Sequence, residues 1–401
     1  MVCDIVIVGG GIVGLTIARA LAQDKNKSIC VLEKEETLGR HASGQNSGVL
    51  HAGIYYGPGS LKARCCIEGS RRMLAYADEK KLPWKRTGKV IVAPTPGSLP
   101  ELERLHANAL QNGVRVEKID GERLRELEPE AKSCGVALFS PDTAVIDARK
   151  VLSALEKETK ELGVTIEKNT EARSIHVRTK TVITKKGRVA YKHLVNAAGL
   201  QADRLAHAMG TGERYCILPL KGIFKKLNTG KADRIRGSIY PVPPPGMPFL
   251  GVHVTKNVYG DVFAGPTAIP AFGRENYEKW RGLDAVETPQ ILFRLAAMWL
   301  GNKENFRQLV REEWRKYSAR GFLNDVKTLL PSIEGSDISR EGWVGIRAQL
   351  MDKRTRRLVM DFVVEDGPDS THILNAVSPA FTGSFVFAEI IKERMVAKKA
   401  A

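Results

Sequence analysis

The sequence has no apolar run approaching the roughly 18 residues that a membrane-spanning helix requires. It also lacks the opening of a secretory leader. Ile5–Val8 is apolar at once, no basic stretch precedes it, and glycines end it. Both absences point to a protein that acts where it is made, in a cytoplasm-like compartment. Cysteines are scarce, six in 401 residues, and none has the C-x-x-C spacing of a zinc or redox site. Cys65 and Cys66 are adjacent, and neighbours rarely form a disulfide of ordinary geometry. All six read as reduced thiols, and no metal centre is expected. Aromatic residues make up 6% of the chain and do not interleave with basic ones beyond local clusters, so no nucleic-acid partner is expected. Internal repeats and low-complexity tracts are missing as well.

A chain of 401 residues can bury a large core and suits two domains. Acids are in deficit: 62 Lys and Arg stand against 45 Asp and Glu, a net charge of +17. The basic residues are scattered, with short clusters at Lys353–Arg357 and Lys392–Lys399. A solvated surface accounts for this pattern. The alternative is an anionic partner: nucleic acid, acidic lipid headgroups or an acidic metabolite.

Residues 4–8 are β-branched and apolar, the pattern of a buried parallel strand. Helical spacing over Ile12–Leu21 and a second apolar run, Ser28–Glu33, complete a βαβ unit. Thr37–Gly59 is rich in Gly, Ser, Asn and His and long enough to be a functional loop. Further helices are predicted over 61–80, 99–112, 147–163, 285–330 and 383–399. Strands are predicted over 88–93, 164–168, 177–184, 191–197, 358–364 and 371–375. The stretch 217–265 is strand-rich, interrupted by Pro241–Pro248.

Gly9, Gly11 and Gly14 form G-x-G-x-x-G between a predicted strand and helix. The first glycine allows the tight turn, the second lets backbone approach a pyrophosphate, and the third lets helix pack on strand. The helix N-terminus offers free N–H groups to phosphate oxygens. Glu33 follows at the distance where a carboxylate accepts hydrogen bonds from ribose hydroxyls. Together these parts specify a dinucleotide site, with NAD and FAD both open.

The segment after Glu33 separates the two. It reads His41-x-Ser43-Gly44-x-Asn46-Ser47-Gly48-Val49-x-His51-x-Gly53-Ile54-Tyr55-Tyr56-x-Pro58-Gly59-Ser60-Leu61-Lys62-Ala63. This resembles the motif of the L-2-hydroxyglutarate dehydrogenase/oxidase family, within the D-amino-acid-oxidase-like flavoenzymes. Further pieces match in order: Asn196–Gly199 with Ala202-Asp203, Pro219–Gly222, Leu250–His253, Gly265-Pro266, Gly345–Gln349, Asp361-Phe362 and Ser378–Ala380. Three departures stand out. Lys221 occupies a usual arginine position, Val377 replaces a proline, and Phe381–Ser384 replaces a smaller Ala-Thr-Ala-Ser.

The resemblance implies FAD as cofactor and an α/β fold with an α+β second domain. A Rossmann-like FAD-binding domain would comprise 1–85, 145–212 and 340–401, and a β-rich substrate domain 86–144 and 213–339. The implied cofactor contacts are Gly9, Gly11, Gly14, Glu33, Arg40, Ser43, Gly44, Asn46, Ser47, Gly48, Ala198, Gly199, Thr382 and Gly383. The implied reaction is oxidation of a small-molecule 2-hydroxy acid, L-2-hydroxyglutarate, to 2-oxoglutarate. Hydride passes to flavin N5, and electrons go on to a quinone or oxygen. Glycerol-3-phosphate or another 2-hydroxy or amino acid is the alternative substrate. A basic flavoprotein that binds RNA is the reading from another class, and steep salt dependence of RNA binding would mark it.

Oxidising a secondary alcohol requires loss of the hydroxyl proton as hydride leaves. His51 is the candidate base, since imidazole titrates near neutrality. It could instead only hydrogen-bond the flavin or loop, or carry the flavin covalently. His253 is the competing base, and His41 is expected to order the loop. Arg347 is the candidate for the substrate carboxylate, which a guanidinium binds through two parallel hydrogen bonds. A surface salt bridge is its alternative. Lys221 would hold a second carboxylate or be an exposed strand lysine beside Lys225 and Lys226. Tyr56, with Tyr55, covers substrate or flavin, or simply packs. Residues 291–310 carry an apolar stripe with Arg294, Lys303 and Arg307 nearby. That stripe is either core or a peripheral contact with the inner face of the cell membrane.

Overall fold

The computed structural model describes residues 1–244 and 247–400, with side chains to residue 398. Pro245 and Gly246, inside the predicted proline stretch, and the Lys399 side chain of the basic tail lie outside the described residues. The first strand, β1 (Val2–Val8), is buried from Ile5 to Val8, as its β-branched composition requires of a central strand. The strands β2 (Ile29–Leu32) and Gly187–Asn196 pair with it in parallel on its two sides. Thr165–Glu167 and Ser370–Asn375 extend the parallel set outward. Val363–Gly367 and the hairpin Ser174–His176/Thr181–Thr184 add antiparallel edges.

A parallel sheet needs both faces covered. On one face the helices α1 (Ile12–Leu21) and Ala380–Ala400 bury Ile17, Phe387 and Ile391 against Ile5, Ile7 and Val31. On the other, Val6, Val8 and Leu32 pack with Val182, Leu194 and Met209. The helix α2 (Leu61–Glu79) begins at a serine cap: Ser60 accepts a hydrogen bond from the Ala63 N–H.

Among the described residues the second sheet has ten strands. Its spine is the antiparallel pair Tyr215–Leu227 and Ile338–Asp352. Beyond Tyr215–Leu227 it continues through Val262–Gly265, His253–Lys256, Ser238–Pro241, Lys89–Val92, Val136–Ser140 and Glu117–Asp120. Phe322, Val326 and Leu329 of the helix Ala319–Leu329 pack on one face with Val90, Ile239 and Val254. Leu102 and Leu105 of Leu99–Gln111 pack on the other with Ile91 and Tyr240.

The elements depart from the sequence expectation in specific places. The helical stretch 285–330 is three helices, Glu287–Gly301, Phe306–Arg315 and Ala319–Leu329. The C-terminal helix starts at Ala380, not Gly383. The expected strand 358–364 is split: Arg357–Leu358 joins the second sheet and Val363–Gly367 the first. Ile338–Asp352 was not expected as a strand, and it pairs with Tyr215–Leu227 along its length. Residues 340–352 therefore build the second sheet, a correction to placing 340–401 wholly with the nucleotide-binding part. Two glycines mask this strand in the sequence. A Cβ on Gly342 would lie 2.0 Å from the Phe224 oxygen, and one on Gly345 would lie 2.4 Å from the Gln45 oxygen. Both mark close approach of another backbone, which is where glycine is tolerated in a strand.

Candidate active site

The end of β1 and the start of α1 fold as the glycine spacing demands. Gly9 adopts φ +110°, and a Cβ there would sit 2.3 Å from the Ala197 oxygen. A Cβ on Gly14 would sit 2.0 Å from the Gly9 oxygen, so the helix is drawn tight against the turn. Gly10 N–H donates to Glu33 at 2.8 Å, and Glu35 N–H to its other oxygen at 2.9 Å. The Glu33 carboxylate is thereby fixed at the end of β2. Ser43 reaches across from the loop and accepts from the Ile12 N–H at 2.9 Å, capping α1 from outside.

The loop after Glu33 is ordered by its own side chains. Asn46 donates to the Ser43 oxygen at 2.7 Å and accepts from Gly48 N–H at 2.9 Å. His41 contacts the Tyr277 hydroxyl at 2.6 Å and Glu35 at 3.0 Å, which is loop ordering. Glu35, His41 and Glu275 form a group of potential metal ligands, but Lys34 bridges both carboxylates at 2.5 and 2.6 Å. Arg40 is an exposed neighbour, 3.5 Å from Glu35.

A cavity of about 1210 Å³ runs from this end of the parallel sheet to the face of the second sheet. Gly9, Gly11, Glu33, Arg40, Ser43, Asn46, Ser47, Ala198, Gly199 and Thr382 line it, as do Tyr56, His51, His253 and Arg347. Gly14, Gly44, Gly48 and Gly383 shape it from behind: a Cβ on each would meet Gly9, Gly39, Ile146 and Cys65 respectively. Thr382 accepts from the His51 N–H at 3.3 Å, tying the loop to the start of the C-terminal helix.

Lys221 does not belong to this cavity. Its strand neighbour Leu220 pairs opposite Arg347 and lines the cavity, so alternation sends Lys221 to the other face. There it is buried, and its ammonium donates to Asn276 at 3.2 Å. Neither sequence reading of Lys221, substrate anchor or exposed lysine, fits this placement.

Two of the remaining groups, Arg347 and His51, are short of partners among the described residues. Arg347 forms no ion pair among the described residues, and its guanidinium lies 5.0 Å from the centre of the Phe249 ring. Burial lowers its pKa, and Tyr56 and Glu313 oppose the shift. His51 has an unpartnered Nδ1. Burial first, then Lys89, His253 and Arg347, push its pKa down to about 3. His253 is pushed down to about 3 by burial as well. Its Nδ1 lies 3.0 Å from the Gly251 carbonyl, which only accepts, so the proton sits on Nδ1 and Nε2 keeps a lone pair. Both imidazoles are therefore neutral at neutral pH, and burial disfavours their protonated forms.

Two cations were given no site role by the sequence reading. Lys62 lines the cavity, and burial pushes it down to about 8 against the pull of Asp361. Lys89 lies behind the histidines, also pushed down to about 8 by burial. The available signal was parity: Lys89 shares the strand face of Ile91, a core residue.

The arrangement fits FAD. The α1 N-terminus, Glu33 and the self-ordered loop occupy one end of the cavity, and glycines keep its floor free of side chains. The model of the DAO family, FAD dependent oxidoreductase, matches residues 4–394. The mitochondrial L-2-hydroxyglutarate dehydrogenase of Caenorhabditis briggsae is 36% identical, covering 98% of this chain and 93% of that protein. The Homo sapiens protein of that name is 35% identical, covering 98% and 88%. The solved L-alpha-glycerophosphate oxidase of Mycoplasma pneumoniae, with FAD bound, has a TM-score of 0.77 at 22% identity, covering 97% and 93%. Glycine oxidase from Geobacillus kaustophilus has a TM-score of 0.74 at 17% identity, covering 98% and 94%. These two structures share the fold of this chain.

Proposed function

This chain belongs to the FAD-dependent oxidoreductase family and, within it, to the L-2-hydroxyglutarate dehydrogenases, and we propose that it oxidises L-2-hydroxyglutarate to 2-oxoglutarate. One observation carries the reading. An arginine with no ion pair among the described residues and two neutral imidazoles share one cavity with a dinucleotide cradle. Arg347 binds a substrate carboxylate through paired N–H groups, which fixes position and register. Lys62 adds a second positive group to the cavity wall, suited to a diacid. His51 takes the hydroxyl proton, and His253 is the second base in reach of the cavity. FAD, held by the glycine turn, Glu33 and the loop after it, would supply the hydride acceptor for this oxidation and would pass electrons to a quinone or oxygen.

The decisive experiment is anaerobic mixing of purified holoenzyme with L-2-hydroxyglutarate while following flavin absorbance. Bleaching is expected. Bleaching with glycerol-3-phosphate but not with this acid would overturn the assignment. Arg347→Met should raise the half-saturating acid concentration about 10- to 100-fold, since hydrogen bonds to charged groups contribute about 1.5–3 kcal/mol. An unchanged value would remove Arg347 from the binding role.

For the acceptor side, the helix Glu287–Gly301 buries Ile291 and Met298 but leaves Leu292, Phe293 and Leu300 exposed. Trp280 and Val286 are exposed just before it. These residues support a peripheral membrane contact. Co-sedimentation with anionic vesicles checks it, and protein that stays in the supernatant at low salt counts against it.

A further inference from the structure

We propose that Lys89 is a buried cation compensated by the bound substrate, a positioning residue that draws the anionic acid toward His51 and His253 without touching it. The proposal rests on the hydroxy-acid reading above and adds a residue to it. Lys89 is 1% exposed, and its Nζ has no hydrogen-bonding partner among the described residues. Its cross-strand neighbours are Ser140 and Ser238, which carry no charge. Burial acts on it first and Cys66 second, and no carboxylate of the described residues is among the groups that shift it. A buried ammonium without an anion opposes folding, so such a residue calls for a functional account.

Its surroundings supply one. Nζ lies 4.8 Å from the centre of the Tyr55 ring and 4.9 Å from that of Tyr240. Their electron-rich faces offset part of the desolvation. Tyr240 stacks on His253 with ring centres 3.8 Å apart and meets His51 edge-on at 6.4 Å. A single tyrosine ring thus separates the ammonium from both candidate bases. Tyr55, His51 and His253 line the cavity, whereas Lys89 and Tyr240 do not. The charge therefore reaches the cavity through a thin, water-poor layer, where Coulomb attraction is weakly screened. The titratable groups facing it are Cys66 on α2, Tyr55 and His51 on the preceding loop, and Tyr240 and His253 on the second sheet. Lys89 disfavours a proton on both histidines, and Arg347 does so from the next wall. An anion in the cavity is attracted to the same charge. The ammonium thus attracts the acid, and the bound anion in turn offsets the effect of that charge on the two histidines.

The test is Lys89→Met holoenzyme, which keeps most of the length of the side chain and removes its charge. Without substrate it should melt at the wild-type temperature or above. Its dissociation constant for 2-oxoglutarate, read from the flavin spectrum, should weaken about 10- to 100-fold. Its half-saturating L-2-hydroxyglutarate concentration should rise in parallel, more than its limiting reduction rate falls. Lys89→Gln should repeat the pattern, which guards against a packing defect peculiar to methionine. A lower melting temperature with unchanged affinity in both variants would make Lys89 a structural residue and overturn the proposal. Wild-type enzyme that fails to bleach with the acid would instead refute the hydroxy-acid reading, a result independent of either variant.

Discussion

The two ends of the cavity are built on opposite principles. At the nucleotide end, polar groups are satisfied within the protein: Glu33 by Gly10 and Glu35, Asn46 by Ser43 and Gly48, the α1 N-terminus in part by Ser43. At the substrate end Lys89 Nζ and His51 Nδ1 have no hydrogen-bonding partner, and Arg347 has no ion pair, among the described residues. The first end is a preformed cradle whose shape comes from backbone. The second holds positive charge that its own structure does not neutralise, so a substrate anion gains what the fold leaves open. Changes at the first end should act through cofactor retention and stability, and changes at the second through rate and affinity.

The largest effect is expected at the substrate end. His51→Asn removes the proposed base while keeping a polar side chain in the cavity. Anaerobic flavin reduction should slow about 10²- to 10⁴-fold, the usual contribution of a positioned base. The flavin content should stay normal. If His253→Asn slows reduction by that factor and His51→Asn does not, the base is His253 and the roles exchange. Gly14→Val probes the other end. Its side chain would start 2.0 Å from the Gly9 oxygen, and backbone cannot yield as a flexible side chain can. A cost of about 1–3 kcal/mol or more is expected, read as lost FAD on gel filtration and a lower melting temperature. A variant that keeps its FAD and melting point but loses affinity for the acid would erase the contrast between the ends.

A smaller, graded effect follows from pH. Burial holds Lys62 and Lys89 at about 8, below the ordinary lysine value. A lysine with a lowered pKa is charged below that value and neutral above it. The substrate carboxylates do not titrate in this range. Affinity for the diacid should therefore fall as pH rises through about 8, at most about tenfold per pH unit for each proton lost. The imidazoles behave the other way. With both held at about 3, they stay neutral as pH falls through 6.5, the ordinary histidine value. The limiting reduction rate divided by the half-saturating acid concentration, which reports groups of the free enzyme, should not fall over that range on account of the imidazoles. A midpoint near 6.5 in that ratio would show that a charged imidazole forms more easily than its burial implies.

The same contrast explains what the sequence disclosed. Gly9, Gly11, Gly14 and Glu33 were legible because their constraints are local: a turn, a close approach and a strand end within 25 residues of one another. The loop to Lys62 was legible as a pattern, and His51 with it. Arg347 was found through its motif, although the strand that carries it was hidden by Gly342 and Gly345. Lys89 and Tyr240 were missed because their meaning depends on strands 149 residues apart lying side by side, Lys89–Val92 against Ser238–Pro241 in register. No local pattern encodes that pairing.

Lys221 gives the sharpest and smallest test. The sequence left it either a second carboxylate anchor or an exposed strand lysine, and the register sends it, buried, to the opposite face with Asn276. Asn276 in turn donates to the carbonyls of Glu278 and Arg281, so the ammonium helps to hold a surface turn. Lys221→Met leaves the Asn276 oxygen buried without its donor, at a stability cost of about 1–3 kcal/mol. The half-saturating acid concentration should change less than about twofold, since residues without shared partners act nearly independently. Lys62→Met, by comparison, removes a charge from the cavity wall and should raise that concentration with little loss of stability. If the two variants exchanged behaviours, the alternation that separates Leu220 from Lys221 would be wrong, and the cationic face of the site would have to be redrawn around that strand.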